Sequence, residues 1–380
     1  MRLPIALPRS LGVFLWPSIL TDHKTESHAP ESNALNQNIS DKRAMQMALA
    51  LARRGMGAVF PNPPVGAVVV KDGAVVGRGF HQVPGEGHAE VNALKDAGAA
   101  AEGATLFVTL EPCNHQGKTP PCTEAILQAG IRRVVIARRD PNRGSNAGAA
   151  FLAAKGIDVS FGFGARESGY LLSGFAVSQL VKRPRFTLKV ASSLDGKIAS
   201  PKGDSKWISS PASRAWVHRR RREADAIAVG AETVLRDNPA LTTRAVKGRS
   251  PHRIVFDSTL RTSPKARVYG EAGGVRRFVI TTERAPKDNV EAFKQVGVEI
   301  LETKATEQGR VDLVQAARLL GELGMTNVLV EGGGHLGGAL LKAGLIDQIY
   351  LFQSRNVLLG GGGPGWAEGL EVVSVPRAVK

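Results

Sequence analysis

Apolar residues along this chain change their period several times, and each change marks an element. In SDKRAMQMALALARRG, residues 40–55, they recur at helical spacing behind a serine suited to capping, and Gly55 ends the run. VGAVVVKDGAVVGRGFH then gives two β-branched runs turning at Asp72-Gly73, which predicts a hairpin. HAEVNALKDAG predicts a helix stopped by Gly98, ATLFVTLEPC a strand, and PPCTEAILQAG the opening of a further helix. RRVVIARRDP and IDVSFGF supply two more strands. This alternation predicts a three-layer α/β domain over residues 41–165.

The segment ESGYLLSGFAVSQLVKRPR follows, and residues 166–183 within it read as a linker. The texture then restarts. FTLKVASSLDGKIAS, ADAIAVGAETVL, HRIVFDSTL, RRFVITTE, VEILET, NVLVEGGG and DQIYLFQ are seven candidate strands with helices between several of them. They predict a second α/β domain over 184–380, and no repeat relates it to the first. Residues 1–40 stand apart as a disordered or targeting extension. Their first half is basic and free of acids, but no small-residue cleavage site follows the apolar stretch as a secretory signal requires. An organelle transit peptide is the alternative to a disordered start.

Composition narrows the class. A chain of 380 residues with 43% hydrophobic content suits two globular cores, and no apolar run reaches the ~18 residues of a membrane span. Two cysteines cannot staple a chain this long, which points to a reducing compartment. The expected location is the cytoplasm, or a plastid if the extension is a transit peptide. A net charge of +16 suits nucleic acid or small phosphorylated anions. Aromatics are only 5% and none interleaves the basic run HRRRR, so a base-stacking surface is not expected. The expected partner is a small phosphorylated molecule, with neither nucleic acid nor membrane.

Both cysteines lie in LEPCNHQGKTPPCTE, 25 residues after GHAE. Zinc deaminases carry H-x-E followed by P-C-x-x-C, with one histidine and two cysteines on the metal. His88, Cys113 and Cys122 would be those ligands, leaving a fourth tetrahedral position for water, whose pKa zinc lowers towards ~7. Glu90 would take the water proton and deliver it to the ring and the departing ammonia. A structural zinc site with His115 as fourth ligand, a disulfide, or two unrelated thiols are the rival readings. The upstream HAE favours catalytic zinc. One feature departs from the signature: eight residues separate the cysteines, where the short form has two.

PNPPVGAVVVKDGAVVGRGFH, GEGHAEVNAL and TLEPCNHQGKTPPCTEAI resemble the deaminase domain of the bifunctional riboflavin-biosynthesis deaminase/reductase family, from about Arg43 to Asn142. In that family the longer insert between the cysteines is usual. The resemblance implies a cytidine-deaminase-like domain in which Asn62 contacts the pyrimidine edge. It puts His81 and the loop from His115 to Thr119 near the substrate mouth, where Lys118 would either meet the substrate phosphate or point into solvent.

In the second half, LVEGGGHLGGALLKAGLID is a buried strand, a glycine cluster and a helix, an arrangement that lets backbone amides approach a phosphate. The G-x-G-x-x-G fingerprint is not met in its first-strand setting, so a Rossmann domain is not expected. KVASSLDGKIA, GDSKWIS, AIAVGAETVLRDNPALTTR and VLVEGGGHLGGALL resemble the reductase half of the same family. That resemblance implies a dihydrofolate-reductase-like domain. By motif, Ser205, Arg221, Leu241, Arg244 and Glu331 would line the ribose-phosphate pocket. Ala191, Trp207, Thr233, Asp237, Gly333, Gly334, His335, Leu336, Gly337, Gly338 and Ala339 would line the NADPH pocket. Paired arginines suit a phosphate monoester because guanidinium forks chelate its oxygens. Asp195 would cap the LDG turn or serve the site, and Lys206 would help activate the ring-opened sugar. The implied cofactors are one zinc ion and NADPH, the substrate is a phosphoribosylated pyrimidine, and a homo-oligomer is expected.

Overall fold

Ser40 caps the first helix: its hydroxyl accepts from the Arg43 amide at 3.3 Å, and α1 runs Asp41–Gly55. This computed structural model describes residues 38–370 apart from 118, 143–146 and 272, and the chain divides between Val181 and Lys182 into two units. The extension expected over 1–40 lies, up to residue 37, outside the described residues.

After α1 the first unit continues with β1 (Gly66–Lys71), β2 (Ala74–Phe80), α2 (Ala89–Ala97), β3 (Thr105–Val108), α3 (Cys122–Gln128), β4 (Arg133–Ile136), α4 (Gly148–Ala154) and β5 (Asp158–Phe161). The sheet order is β2-β1-β3-β4-β5, with β1 antiparallel to both neighbours and β3, β4 and β5 parallel. Alternation along β1 builds two cores. Ala67 and Val69 join Ala89, Ala93, Ile126 and Leu152 from α2, α3 and α4, whereas Val68 and Val70 join Ala44, Ala48 and Ala52 from α1. Three layers result.

Segment 166–183 departs from its expected role as a linker. It folds as α5 (Ala165–Leu171) and α6 (Ser173–Val181), which belong to the first unit. Leu171, Leu172 and Phe175 are buried there, and the Ser168 hydroxyl donates to the Thr109 carbonyl at 2.6 Å. Burial of those apolar side chains holds the segment as structure.

The second unit contains β6 (Arg185–Ser192), α7 (Pro211–Glu223), β7 (Ala226–Gly230), α8 (Ala231–Asp237), β8 (His252–Phe256), β9 (Arg277–Thr282), α9 (Lys287–Gln295), β10 (Glu299–Thr303), α10 (Leu313–Glu322), β11 (Asn327–Val330), α11 (Gly334–Lys342) and β12 (Ile346–Gln353). Each of the seven apolar runs forms a strand. Their order is β10-β9-β8-β7-β11-β6-β12, and every pair is parallel. Ala226, Ala228, Val328 and Val330 face α10 and α11, while Ile227 and Val229 pack with Val234 of α8 and Phe293 of α9. A parallel sheet covered on both faces explains why β7 reads as a continuous apolar run.

Candidate active sites

The first site sits where β2 hands over to α2. Gly77 and Gly79 let the helix lie directly on the strand: a Cβ at Gly79 would come within 2.3 Å of the Ala89 carbonyl oxygen, and one at Gly77 within 2.3 Å of that of Ala93. This seats the first turn of α2, with His88 as its N-cap and Glu90 buried just inside. Cys122 opens α3 and is buried, and Cys113 lies in the loop after β3. Glu111 holds that loop. Its buried carboxylate accepts from the Asp140 and Ala149 amides at 3.3 and 3.1 Å. Thr123 adds a tie, donating its hydroxyl to Asn114 Oδ1 at 2.8 Å.

These anchors bring the three expected ligands together. His88 Nδ1 lies 3.2 Å from Cys122 Sγ and 3.5 Å from Cys113 Sγ, and all three donor atoms fall within 4.8 Å of one another. Tetrahedral zinc with ordinary Zn–S and Zn–N bonds sets such donors about 3.6 Å apart. The residues therefore fit the metal. Neither cysteine is in a disulfide, which removes that rival reading. His115 is exposed and does not belong to the cluster, so among the described residues the ligand set is three, leaving one tetrahedral position for a reactant.

Electrostatics suit proton handling. Burial, then the neighbouring Cys113 charge, pushes the Glu90 carboxyl up to about 7. Cys113 is held low, at about 4, by its hydrogen bond with Cys122 and by His88. Cys122 is pushed up by the same shared proton and by burial. Burial pushes the His81 imidazole down from its ordinary value. Asn62, half-buried, places its amide nitrogen 2.9 Å from His81 Nε2, and the rings of His81 and His88 meet edge to face at 5.4 Å. Asn62 is thereby close to the metal ligands. Lys118 lies outside the described residues.

The second site is a cleft of about 1270 Å3 at the carboxyl ends of β6, β7, β8 and β11, where open parallel sheets bind ligands. Ser205, Arg221, Leu241, Arg244 and Glu331 line it, as do Ala191, Trp207, Thr233, Asp237, Gly333, Gly334, His335, Leu336 and Ala339. Gly337 and Gly338 do not. They pack against the chain at 366–368: a Cβ at Gly338 would come within 2.0 Å of the Glu368 carbonyl oxygen, and one at Gly337 within 3.0 Å of that of Trp366. Part of the glycine cluster thus serves helix packing.

Arg221 is not a free phosphate fork. Its Nε and Nη2 donate to the two carboxylate oxygens of Glu331 at 2.7 and 2.8 Å, and Nη1 donates to the Thr242 carbonyl at 3.0 Å. Burial opposes charge on Glu331, but Arg221 and then Lys189 hold its carboxyl below the usual range. Arg244 is exposed at the cleft wall and is the more available cation. Lys189 and His218 also line the cleft, both lowered by burial, and the motifs did not single them out. A signal for Lys189 existed, a lone lysine inside the apolar strand FTLKVAS. Asp195 accepts from the Leu359 and Gly360 amides at 3.1 and 2.8 Å and from the Ser193 hydroxyl at 2.6 Å; none of the cleft-lining residues is Asp195. Lys206 does line it.

The cleft fits a dinucleotide. Its volume exceeds the ~300–1,000 Å3 usual for one small ligand. α11 opens on Gly333 and Gly334 with no side-chain cap, and the Gly333 amide lies beside Thr233 Oγ1 at 3.3 Å.

Known proteins match both halves. The model of the cytidine and deoxycytidylate deaminase zinc-binding region matches residues 38–138, and that of the RibD C-terminal domain matches 184–378. Riboflavin biosynthesis protein RibD of Aquifex aeolicus is 42% identical over 84% of this chain and 88% of its own. That of Escherichia coli is 39% identical over 84% and 89%. A solved diaminohydroxyphosphoribosylaminopyrimidine deaminase/5-amino-6-(5-phosphoribosylamino)uracil reductase from Thermotoga maritima superposes with TM-score 0.77 at 41% identity, covering 88% of this chain and 92% of that one. RibD of Acinetobacter baumannii gives 0.77 at 34% identity, covering 89% and 92%. The first unit is cytidine-deaminase-like and the second dihydrofolate-reductase-like. With a zinc-ligand cluster in one unit, a dinucleotide-sized cleft in the other, and relatives that match both in a single chain, this protein belongs to the RibD family of riboflavin biosynthesis.

Proposed function

We infer that the chain catalyses two consecutive steps of riboflavin biosynthesis. The first unit hydrolyses the exocyclic amine of 2,5-diamino-6-(5-phosphoribosylamino)pyrimidin-4(3H)-one, releasing ammonia. The second reduces the ribosyl group of the product with NADPH, giving 5-amino-6-(5-phosphoribitylamino)uracil. The observation that carries the reading is the buried Glu90 beside the cluster of His88, Cys113 and Cys122, joined in one chain to the cleft at the β6/β11 ends.

In the first unit His88, Cys113 and Cys122 would hold zinc, which would supply a Lewis acid able to make water nucleophilic near neutral pH. Glu90 would carry two protons in turn: the one that attacking water releases goes to the ring nitrogen, and the one left on the added hydroxyl goes to the leaving amine. A carboxyl held near 7 can do both. Asn62 orients the pyrimidine by its edge. In the second unit NADPH supplies hydride. Gly333 and Gly334 with Thr233 would hold its phosphates, and Ala191, Trp207 and Asp237 would flank it. Arg244 binds the substrate phosphate, and the Arg221–Glu331 pair shapes the sugar pocket beside Lys189. The task of these groups is to position the open, imine-like sugar against the cofactor and keep water out.

Among the described residues no helix is long and apolar enough to cross a membrane, and the ligands are small molecules. We place the reactions in the cytoplasm, or in a plastid if the first 40 residues are a transit peptide. We also read the protein as a homo-oligomer. Among the described residues β12 lies at a sheet edge, the kind of element a second copy can cover, and sedimentation velocity tests this. Incubating the substrate with and without NADPH and identifying products by mass tests the function. Deaminated product should form alone and become ribityl product when NADPH is added. Ammonia release without any NADPH oxidation would leave only the deaminase half standing.

A further inference from the structure

We propose that His81 is a positioning residue of the deaminase site, fixing the Asn62 carboxamide so that its oxygen is the end left free to accept from an N–H of the substrate. The inference rests on the deaminase reading above and adds the polarity of one contact.

The polarity follows from a chain of single-role groups. The Gly87 carbonyl can only accept, and it lies 3.2 Å from His81 Nδ1. Nδ1 must therefore carry the proton. A neutral imidazole with a protonated Nδ1 has a bare Nε2, which can only accept. The Asn62 amide stands 2.9 Å from that nitrogen, so it must turn its NH2 group inward, and its oxygen points elsewhere. The opposite amide orientation would set two acceptors face to face.

The far end of this chain is anchored on the helix that bears the catalytic residues. Asn92 of α2 donates from Nδ2 to the Gly87 and Phe80 carbonyls, each at 3.0 Å. His81 is 2% exposed, which keeps water from competing for either nitrogen. The Asn62 backbone is held independently, its amide donating to the Val59 carbonyl at 2.9 Å. Asn92, Gly87, His81 and Asn62 thus form one line from the start of α2 to the side chain expected at the pyrimidine edge. An oxygen presented there selects a ring or exocyclic N–H, and an analogue offering a lone pair at that edge meets repulsion.

A double-mutant cycle in the zinc-loaded full chain tests the proposal, with ammonia release from the phosphoribosylated diaminopyrimidinone as readout. His81→Ala should lower kcat/KM about 2- to 10-fold, the worth of one neutral hydrogen bond, with zinc content and NADPH-dependent reduction unchanged. The double variant with Asn62→Ala should be no worse than Asn62→Ala alone, and His81→Gln, which retains a donor and an acceptor, should recover most of the loss. Losses that multiply in the double variant overturn the proposal. Should His81→Ala fail to fold or lose zinc, the 15N shifts of the His81 ring in the unmutated enzyme decide. A protonated Nδ1 with bare Nε2 supports the relay, and the reverse tautomer refutes it. An unmutated enzyme that releases no ammonia defeats the deaminase reading instead, and the tautomer measurement still judges the relay.

Discussion

Replacing Glu331 with glutamine should unsettle the second unit far more than its single lost charge suggests. The carboxylate holds Arg221 through two bonds of 2.7 and 2.8 Å, and the two side chains are only 11% and 13% exposed. Lys189 stands half-buried alongside, in the cleft wall; desolvation lowers its pKa, Glu331 raises it and Arg221 lowers it further. Removing the negative charge leaves two largely desolvated cations facing each other. Breaking a buried pair by deleting one partner typically costs about 3–5 kcal/mol. Glutamine keeps one acceptor oxygen for the fork, and Lys189 can shed its proton to relieve the repulsion. Both argue for the lower end, about 3 kcal/mol. For a unit of this size that corresponds to a fall in melting temperature of about 6–12 °C.

The tryptophans among the described residues, Trp207, Trp216 and Trp366, all lie in this unit, so fluorescence-detected urea unfolding reports on it. The paired change Arg221→Met with Glu331→Leu should recover most of the stability while abolishing reduction, because apolar replacement of both partners leaves no stranded charge. A Glu331→Gln protein that unfolds within about 0.5 kcal/mol of the parent, the scatter of ordinary surface substitutions, would refute the claim that this carboxylate compensates Arg221.

Three other outcomes are expected. Glu90→Gln should abolish ammonia release while metal analysis still finds one zinc per chain, and NADPH oxidation with deaminated substrate should continue; retained deamination would remove Glu90 from its role. Arg244→Ala should raise KM for the phosphorylated substrate in reduction by at least tenfold, on the order of the 1.5–3 kcal/mol of a charged hydrogen bond, with deamination unchanged. A fall in both activities would point to a structural role. Finally, burial and the cations Arg249 and Arg276 push His252 down from 6.5 to about 4, and its Nδ1 accepts from the Arg276 amide at 2.9 Å. The unfolded chain binds this proton first, so the stability His252 contributes is complete above pH ~6.5 and is lost as pH falls towards ~4. Urea midpoints measured across that window should fall more steeply for the parent than for His252→Gln, and parallel slopes would count against it.

The two sites were unequally legible in the sequence, and the reason is chemical. Zinc must be held by side chains of few types, so HAE and two cysteines expose the first site in plain letters. The residues that aim those ligands are generic. Glu111 and Asn92 act by accepting or donating to backbone groups up to 38 residues away, and nothing local marks them. The alternation in β1 disclosed which residues face which layer, because a strand's period is fixed by its pleat. It could not disclose that Leu171, Leu172 and Phe175 would be drawn in to fold the supposed linker, since burial depends on what else needs covering.

The cleft shows the converse limit. It is made where parallel strands end, largely from backbone and small residues, so the letters that accompany it are ambiguous. Gly333 and Gly334 line it, Gly337 and Gly338 admit the chain at 366–368, and Gly334 does both, since a Cβ there would come within 2.1 Å of the Gly365 carbonyl oxygen. Both uses demand the absence of a Cβ, and a run of glycines looks the same for either. Arg221 is a similar case. A basic helix offers it as one more cation, but its partner Glu331 lies 110 residues away in sequence, and that pairing occupies its guanidinium fork. A side chain's chemistry can be read from the sequence, but whether that chemistry remains available is decided by the partner the fold supplies, and at this cleft the answer separates Arg244 from Arg221.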